Sequence, residues 1–487
     1  MRTLSICFLL FTSILACRVV ANEAEFTVLV YNLENCFDLD GVALYEDYMQ
    51  ESENLHEGYS RRKLLTKLQT AAKVLASLNR GEGPEIVIFQ EFEADFTPQT
   101  GGGDPREFLR KNADIQLEAM LTDEWESGFA GIPAVTWMLK ALHDAGLKGY
   151  EVVAAPAQVA EAGLAHINAV FSKFPVRSVR SYALDRARDI LEVEIDVKGH
   201  TVVVYNNHWK SGASNPQREP IRVKNAGVLR QLIDARLAAD PQVDIIIGGD
   251  LNSHYNHDLL FPDIDTGING VLGSQGDESF GGGDIYNLWY ELPVAERYSD
   301  VWRGKRGTLM HLLLTRGLYD AKGISYIDGS FNKLVLPGLN ADALRRPLRW
   351  TFAGNDGGGA SDHFPVYARF TTGPFRKQGD FSPGDDAPQH ALPLAYRSGM
   401  KMDLPSGVFL NDIPDARLGE FVGRLYAVGA TLSSQYPQRV EVNGTVWPAY
   451  TPDPALRKRL KPGRNYDLVV SPTVWKGEPQ LLIEGIR

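Results

Sequence analysis

Acids, amides and imidazoles recur in this 487-residue chain at the ends of apolar runs, and their types suit chemistry around a bound cation. The string "VLVYNLEN" carries Asn32 and Glu34, "IVIFQEFE" carries Glu91, "VVVYNNHWKSG" carries Asn207 and His208, and "IIIGGDLNS" carries Asp250 and Asn252. A fifth string, "SDHFP", sets Asp362 and His363 directly after the glycine-rich "AGNDGGGA". Carboxylate and amide oxygens are hard ligands suited to Mg2+ or Mn2+. An imidazole, with an ordinary pKa near 6.5, gives or takes a proton around neutrality. Glu91 is the strongest ligand candidate, because a carboxylate ending a buried strand is costly without a partner cation. Asn32 and Glu34 lie two apart on an extended segment, so alternation turns both toward one cleft. Asp250 and Asn252 repeat that spacing, and the glycines before them allow close backbone approach to a phosphate. His208 fits two roles, a cation or donor for a phosphate or a core-edge histidine capped by a carbonyl.

The elements that must position these groups are strands. Each run of Val, Ile and Phe is anchored by packing, and the polar residues that follow protrude at its rim. The strand at Phe26–Tyr31 precedes a helix with Ser60 as its N-cap, an apolar stripe from Leu64 to Leu78 and Gly81 as its stop. Pro84 then opens the strand that carries Glu91. Asp95 to Gly149 reads as an insertion with two helices. Segments 150–155, 167–172, 190–197, 201–207 and 243–249 read as strands, with a helix between the last two. Stacked sheets with helices outside would follow, although periodicity alone does not separate this from a doubly wound sheet. Residues 373–394, rich in Pro, Gly and Asp, mark a linker. Residues 395–487 alternate short β runs with turns and suggest a small β barrel, of which an oligonucleotide/oligosaccharide-binding fold is one form. Arg424, Tyr426, Trp447, Tyr450, Arg457 and Lys461 lie there. They would either track a polyanion or divide into aromatic core and solvated charge.

In their order and chemistry the five strings resemble the endonuclease/exonuclease/phosphatase superfamily, over about residues 25–372. Its members include pancreatic-type deoxyribonucleases, abasic-site endonucleases, sphingomyelinases and inositol polyphosphate phosphatases. The resemblance implies a two-sheet α/β sandwich and metal-dependent phosphodiester hydrolysis. It implies Asn32, Glu34, Glu91 and Asp362 at the metal, which would be Mg2+ with Mn2+ or Ca2+ as alternatives. It gives Asp250 the activation of water, Asn252 a metal or phosphate oxygen, His208 the scissile phosphate and His363 a general acid/base or transition-state donor role. One departure stands out. Where the family has an aspartate that orients the last histidine, in a string like "LDHILLS", this chain has "GTLMHLLLT" with Met310. Asp300 and Asp284 are the candidate replacements.

The first residues hold Arg2 and an apolar stretch from Leu4 to Ala16, too short for a bilayer span of about 20 residues. They read as a signal peptide over 1–21, with lipidation of Cys17 as the alternative. The body is then exported, periplasmic or secreted. Loss of Arg2 and Arg18 would take the formal charge from −11 to −13, with 48 Lys and Arg against 61 Asp and Glu. An acidic chain lacks the broad footprint of a tight nucleic-acid binder, yet an enzyme that releases a polyanion needs only a local basic rim. Cys36 remains as one thiol without an internal partner and reads as a buried apolar residue. The leading reading is an exported nuclease. The alternatives are a phosphatase or phospholipid phosphodiesterase, and a binding protein that has lost turnover. Nothing in the sequence identifies a protein partner, and no later segment reads as a membrane span.

Overall fold

The fold is seen in a computed structural model that describes residues 23–48, 58–97, 103–157, 163–278, 280, 285–342, 344–352, 354–377, 426–475 and 478–486. The leader with Cys17, Asp284, Arg424 and most of the expected linker lie outside the described residues. The strands between Glu25 and Thr371 form the expected two-sheet sandwich. One sheet comprises β1 (Glu25–Cys36), β2 (Ile86–Glu93), β3 (Glu151–Ala154), β4 (His166–Ser172), β14 (Ser325–Tyr326), β15 (Asn332–Lys333) and β16 (Val366–Thr371). Its order is β14-β16-β1-β2-β4-β3, with β15 on β16. The other comprises β5 (Val176–Leu184), β6 (Ala187–Val197), β7 (His200–His208), β8 (Ile245–Asp250), β9 (Ser274–Gln275), β10 (Ile285–Asn287) and β13 (Met310–Thr315). Its order is β5-β6-β7-β8-β13-β10-β9. Between the last two long strands β11 (Asp300–Trp302) and β12 (Lys305–Gly307) form a separate hairpin.

The central strands β1 and β2 are parallel, as are β7 and β8, and they face each other across the core. That arrangement brings the ends of four apolar runs to one edge of the sandwich. The sequence expectation for the glycines of "IIIGG" is corrected here. A Cβ at Gly248 would lie 2.7 Å from Ile88 Cδ1 of the facing sheet, and one at Gly249, with φ +143°, 1.9 Å from the Asn207 carbonyl oxygen. These glycines allow sheets and strands to approach, not a phosphate. A polar clasp joins the sheets in the core: Gln90 Nε2 donates to Asn206 Oδ1 (2.8 Å), and Asn206 Nδ2 donates to the carbonyls of Phe89 and Ala169.

Helix α1 (Arg61–Ala76) starts where expected, with Lys63 N–H donating to Ser60 Oγ, but ends at Ser77, ahead of Gly81. Of the insertion helices α2 (Pro105–Lys111), α3 (Leu117–Leu121) and α4 (Ala134–Asp144), one more than expected, α3 and α4 pack against it and α2 packs on α4, around Phe108, Phe129 and Trp137. Helix α5 (Glu219–Ala239) links β7 to β8. Cys36 is buried, and burial pushes its thiol up to about 12, so the inert reading fits.

C-terminal to the sandwich a closed barrel forms from β17 (Tyr426–Gln435), β18 (Gln438–Val442), β19 (Thr445–Tyr450), β20 (Asn465–Trp475) and β21 (Glu478–Ile486), in the order β17-β18-β19-β21-β20. Tyr426 and Trp447 are buried in its core, which settles them as packing residues. Its outer groove, about 460 Å³, is lined by Thr431, Glu441, Asn443, Asn465 and Asp467. Two carboxylates in that wall repel a phosphate backbone, so this face does not serve the polyanion-tracking reading. The barrel instead is tied to the sandwich: Arg346 Nη2 donates to Glu484 Oε1 (2.9 Å) while Arg346 Nε donates to Asp342 Oδ2 (2.6 Å).

Candidate active site

At the edge where the apolar runs end, β1 and β2 both break their ladder. The pairing shifts between Asn32 and Cys36, and between Phe89 and Phe92. Glu34, Asn35 and Glu91 take left-handed backbone (φ +48°, +64° and +66°), which non-glycine residues adopt at a cost and which clusters at functional sites. The break defeats simple alternation. Asn32 and Glu34 do not present side by side: Asn32 turns to Glu91 and Asp250, whereas Glu34 turns to Arg349.

Glu91 is the hub. Its Oε1 accepts from Asn32 Nδ2 (3.0 Å) and its Oε2 from the Asn35 N–H (3.0 Å). The Nε2 atoms of His208 and His166 stand 3.8 and 3.9 Å from the same carboxylate. Asp250, opposite, accepts from Asn32 Nδ2 through Oδ2 (3.1 Å) and from the Asn252 N–H through Oδ1 (2.9 Å), with His208 Nε2 3.8 Å away. Thus Asn32, expected as a metal ligand, bridges two carboxylates with its N–H groups, and its own oxygen accepts the Glu34 N–H (2.9 Å). Asn252 lies beside Asp250, its amide donating to the Trp209 carbonyl (3.3 Å). Asn207 is not at the site. It is fully buried, with Nδ2 on the Tyr205 carbonyl and Oδ1 on the Trp209 indole.

The rim segment before β16 supplies the rest. His363 N–H donates to Ser361 Oγ, which in turn donates to the Asn32 carbonyl (2.6 Å), and this turn provides the kink that lets neighbours Asp362 and His363 face one point. His363 Nε2 is 3.4 Å from Asp362 Oδ1 and 3.6 Å from Asp250 Oδ2. Its Nδ1 is buried without a hydrogen-bond partner. Asp300 pairs with His363 through a backbone bridge and adds negative charge there, but does not accept from that nitrogen. Met310, fully buried, faces Asp250 across the β8–β13 ladder, so the missing orienting carboxylate is not replaced among the described residues.

Three groups escaped sequence reasoning. Arg349 donates to Glu34 Oε1 through Nη2 (2.9 Å) and Nε (3.1 Å) and reaches Asp362 Oδ2 at 3.4 Å. Lys67, buried on α1, donates to the carbonyls of Glu34 (2.9 Å) and Ala360 (2.8 Å). His166 lies between Glu91 and Arg188, whose Nη2 is 2.8 Å from its Nδ1. His166 begins an apolar run, so a search at strand ends passes over it; Arg349 sits in a segment with no period at all.

The charges follow from burial and company. Burial opposes ionisation of Glu91, but His166, His208 and Arg188 and the Asn32 amide overcome it and hold the carboxyl well below its usual range. Burial, with Arg188, pushes His208 well below its ordinary value, and burial lowers His166 to about 4. Both rings are therefore neutral at pH 7. Burial raises Asp250 and takes Asp300 up to about 7. Burial and Asp362 raise Glu34 to about 7 against the pull of Arg349 and Lys67. For His363 burial acts downward, yet Asp362, Asp250, Asp300 and Glu91 outweigh it and raise the ring to about 9.

One ligand atom each from Glu91, His208 and Asp250 lies within 4.8 Å of the others, a donor set of two carboxylates and a neutral imidazole that fits a divalent cation. Glu34 and Asp362, expected in the same shell, are instead joined through Arg349.

Residues 161–372 match the Endonuclease/Exonuclease/phosphatase family, which supports the superfamily resemblance drawn from the five strings. The matched stretch contains His208, Asp250, Asn252, Asp362 and His363; Asn32, Glu34 and Glu91 precede it and join it through the contacts above. Members of this superfamily are metal-dependent phosphodiesterases. Among solved structures, truncated TDP2 from Caenorhabditis elegans is similar at 14% identity, over 71% of this chain and 97% of that one, with a TM-score of 0.37. D. rerio TDP2 complexed with a single-strand DNA product is similar at 13% identity over 71% and 99%, with a TM-score of 0.36. The 3′ phosphatase NExo from Neisseria, bound to a product DNA hairpin, is similar at 13% identity over 70% and 98%, with a TM-score of 0.34. No curated protein matches the chain.

Proposed function

We propose that this protein is an exported, divalent-metal-dependent phosphodiester hydrolase that cleaves nucleic acid. The observation that carries the reading is the convergence of Glu91, His208 and Asp250 on one point, with the cationic His363 3.6 Å from Asp250. Glu91 and Asp250, with His208 neutral beside them, would hold the cation, which when bound supplies positive charge for the phosphoryl oxygens. Asn32 keeps the two carboxylates at a fixed separation. Asp250, raised by burial, is suited to take a proton from the attacking water, and Asn252 fixes its orientation through the backbone. His363 enters protonated at neutral pH and can donate from Nε2 to the phosphoryl group or to the departing oxygen. His208 acts as a neutral donor or ligand, not as a cation. Arg349, half-exposed between Glu34 and Asp362, adds a fixed positive charge at the rim.

Export rests on the apolar leader, and no described helix is long and apolar enough to cross a membrane. The test of the reading is incubation of the mature protein with plasmid DNA, RNA and bis-p-nitrophenyl phosphate in Mg2+, Mn2+ or EDTA. Cleavage of a nucleic acid that needs the metal is expected. Turnover of phosphomonoesters or phospholipids alone would replace it with another reaction on the same fold.

A further inference from the structure

The β11–β12 hairpin grows directly out of this site, and beyond Asp300 its residues have no part in the chemistry above. Its first residue, Asp300, bridges to His363. Across the ribbon from Asp300 is Gly307, where a Cβ would lie 2.5 Å from Asp300 Oδ2, so only glycine lets that carboxylate lie flat on the hairpin. Side chains two apart on a strand share a face, and a strand advances about 3.3 Å per residue. Trp302 therefore lies on the same face as Asp300, about 7 Å further from His363. Lys305 is paired directly opposite Trp302 and shares that face. The tip residues Arg303 and Gly304 are both left-handed, and the Arg303 guanidinium lies 5.5 Å over the Trp302 ring.

Two features set this ribbon apart. Trp302 is 53% exposed. Arg303 and Lys305 make no ion pair among the described residues, in a chain whose formal charge is −11. The next cation, Arg306, is turned to the other face, 3.9 Å over Tyr298, and is committed there. An aromatic ring flanked by two unpaired cations, on the face that leads into a phosphodiesterase site, has the composition of a platform for single-stranded nucleic acid. A membrane anchor would carry apolar area at its apex; here the apex is Arg303–Gly304, and Val301 is packed beneath on the opposite face.

We propose that the β11–β12 hairpin is a base-stacking platform that binds an unpaired nucleotide next to the scissile phosphate, with Trp302 stacking the base and Arg303 and Lys305 neutralising the flanking phosphates. This rests on the nuclease reading and sharpens it: the preferred substrate is a single strand or a splayed end, because a base paired in a duplex does not offer its face to an indole.

The experiment compares full-length wild-type, Trp302→Ala, Trp302→Phe and Arg303→Ala/Lys305→Ala proteins on three substrates. These are a single-stranded oligonucleotide, the same strand with one abasic residue beside the cleaved bond, and bis-p-nitrophenyl phosphate. Loss of one stacked base should raise KM for the intact strand about 5- to 100-fold in Trp302→Ala with kcat little changed. Trp302→Phe should recover most of that loss, and the abasic strand should show little difference between wild type and the two Trp302 variants. The double alanine variant should flatten the salt dependence of KM. In EDTA the intact strand should quench wild-type tryptophan fluorescence and should not quench it in Trp302→Phe, which still binds. An unchanged KM for the strand in Trp302→Ala, with wild type cleaving it, overturns the platform and leaves the nuclease reading standing. Wild type that hydrolyses the small diester but no nucleic acid removes the nuclease reading and the platform together. Trp302-dependent binding to phosphatidylserine vesicles without an effect on the strand would make the hairpin a membrane anchor and overturn the proposal.

Discussion

His363→Gln should change how the metal-free protein's stability depends on pH. In the fold His363 Nε2 stands 3.4 Å from Asp362 and 3.6 Å from Asp250. Burial acts against the charged ring, but the surrounding carboxylates win and raise it from 6.5 to about 9. A group raised in the fold binds its proton more tightly folded than unfolded. Its stabilising contribution is therefore complete below pH 6.5 and is lost as pH rises through about 9. That rise corresponds to about 3 kcal/mol at most. Glutamine keeps much of the volume and removes the charge, so the stability gap between wild type and variant should shrink by about 3 kcal/mol between about pH 6 and about pH 10. Urea unfolding of both proteins in EDTA measures the gap, and an NMR titration of the imidazole fixes the midpoint. Parallel stability curves over that window, or a midpoint near 6.5, would refute the electrostatic account of the site.

Gly249→Ala should cost about 3 kcal/mol or more or abolish soluble expression, because its Cβ would overlap the Asn207 carbonyl; denaturation against Gly227→Ala, which meets open space, is the comparison. A double-mutant cycle of Glu34→Gln and Arg349→Gln should show coupling of about 1 kcal/mol, discounted because Arg349 is half-exposed; additivity would remove the ion pair from the site's architecture. Arg346→Met leaves Asp342 and Glu484 as buried carboxylates without their cation and should cost about 3 kcal/mol, seen by calorimetry as a barrel transition that melts earlier than in wild type.

The sequence made the sandwich legible because its central strands are nearly all Val, Ile and Phe, and such runs have few other places to go. Glu91, His208 and Asp250 could be found for the same reason, as polar residues at the ends of those runs, and His363 from its place beside Asp362 after the glycine-rich string. What it hid was geometry that periodicity does not encode. Alternation would set Asn32 and Glu34 side by side, but left-handed backbone at Glu34 and Asn35 sends their carboxylate and amide to different partners. The "GG" before Asp250 reads as a phosphate loop until the facing Ile88 and Asn207 are in view. Strand β5 was not expected, since "VRSVRSYAL" is an edge strand whose arginines and serines break the apolar signal. Arg349 and Lys67 join the site from an irregular segment and a helix whose sequence spacing says only that they are charged. In the barrel, Tyr426 and Trp447 could be core or stacking surface from sequence, and only closure of the five strands decides for the core.

The central claim is that Glu91 and its neighbours hold the cation on which hydrolysis depends. It is tested most directly by titrating Mg2+ and Mn2+ into wild-type and Glu91→Gln protein while following bis-p-nitrophenyl phosphate hydrolysis, with calorimetry of metal binding on the same samples. The wild type should bind the ion and be silenced by EDTA, and Glu91→Gln should bind it about 10-fold or more weakly, with activity following occupancy. Full activity of Glu91→Gln at trace metal, or wild-type turnover that survives chelation, would contradict the account.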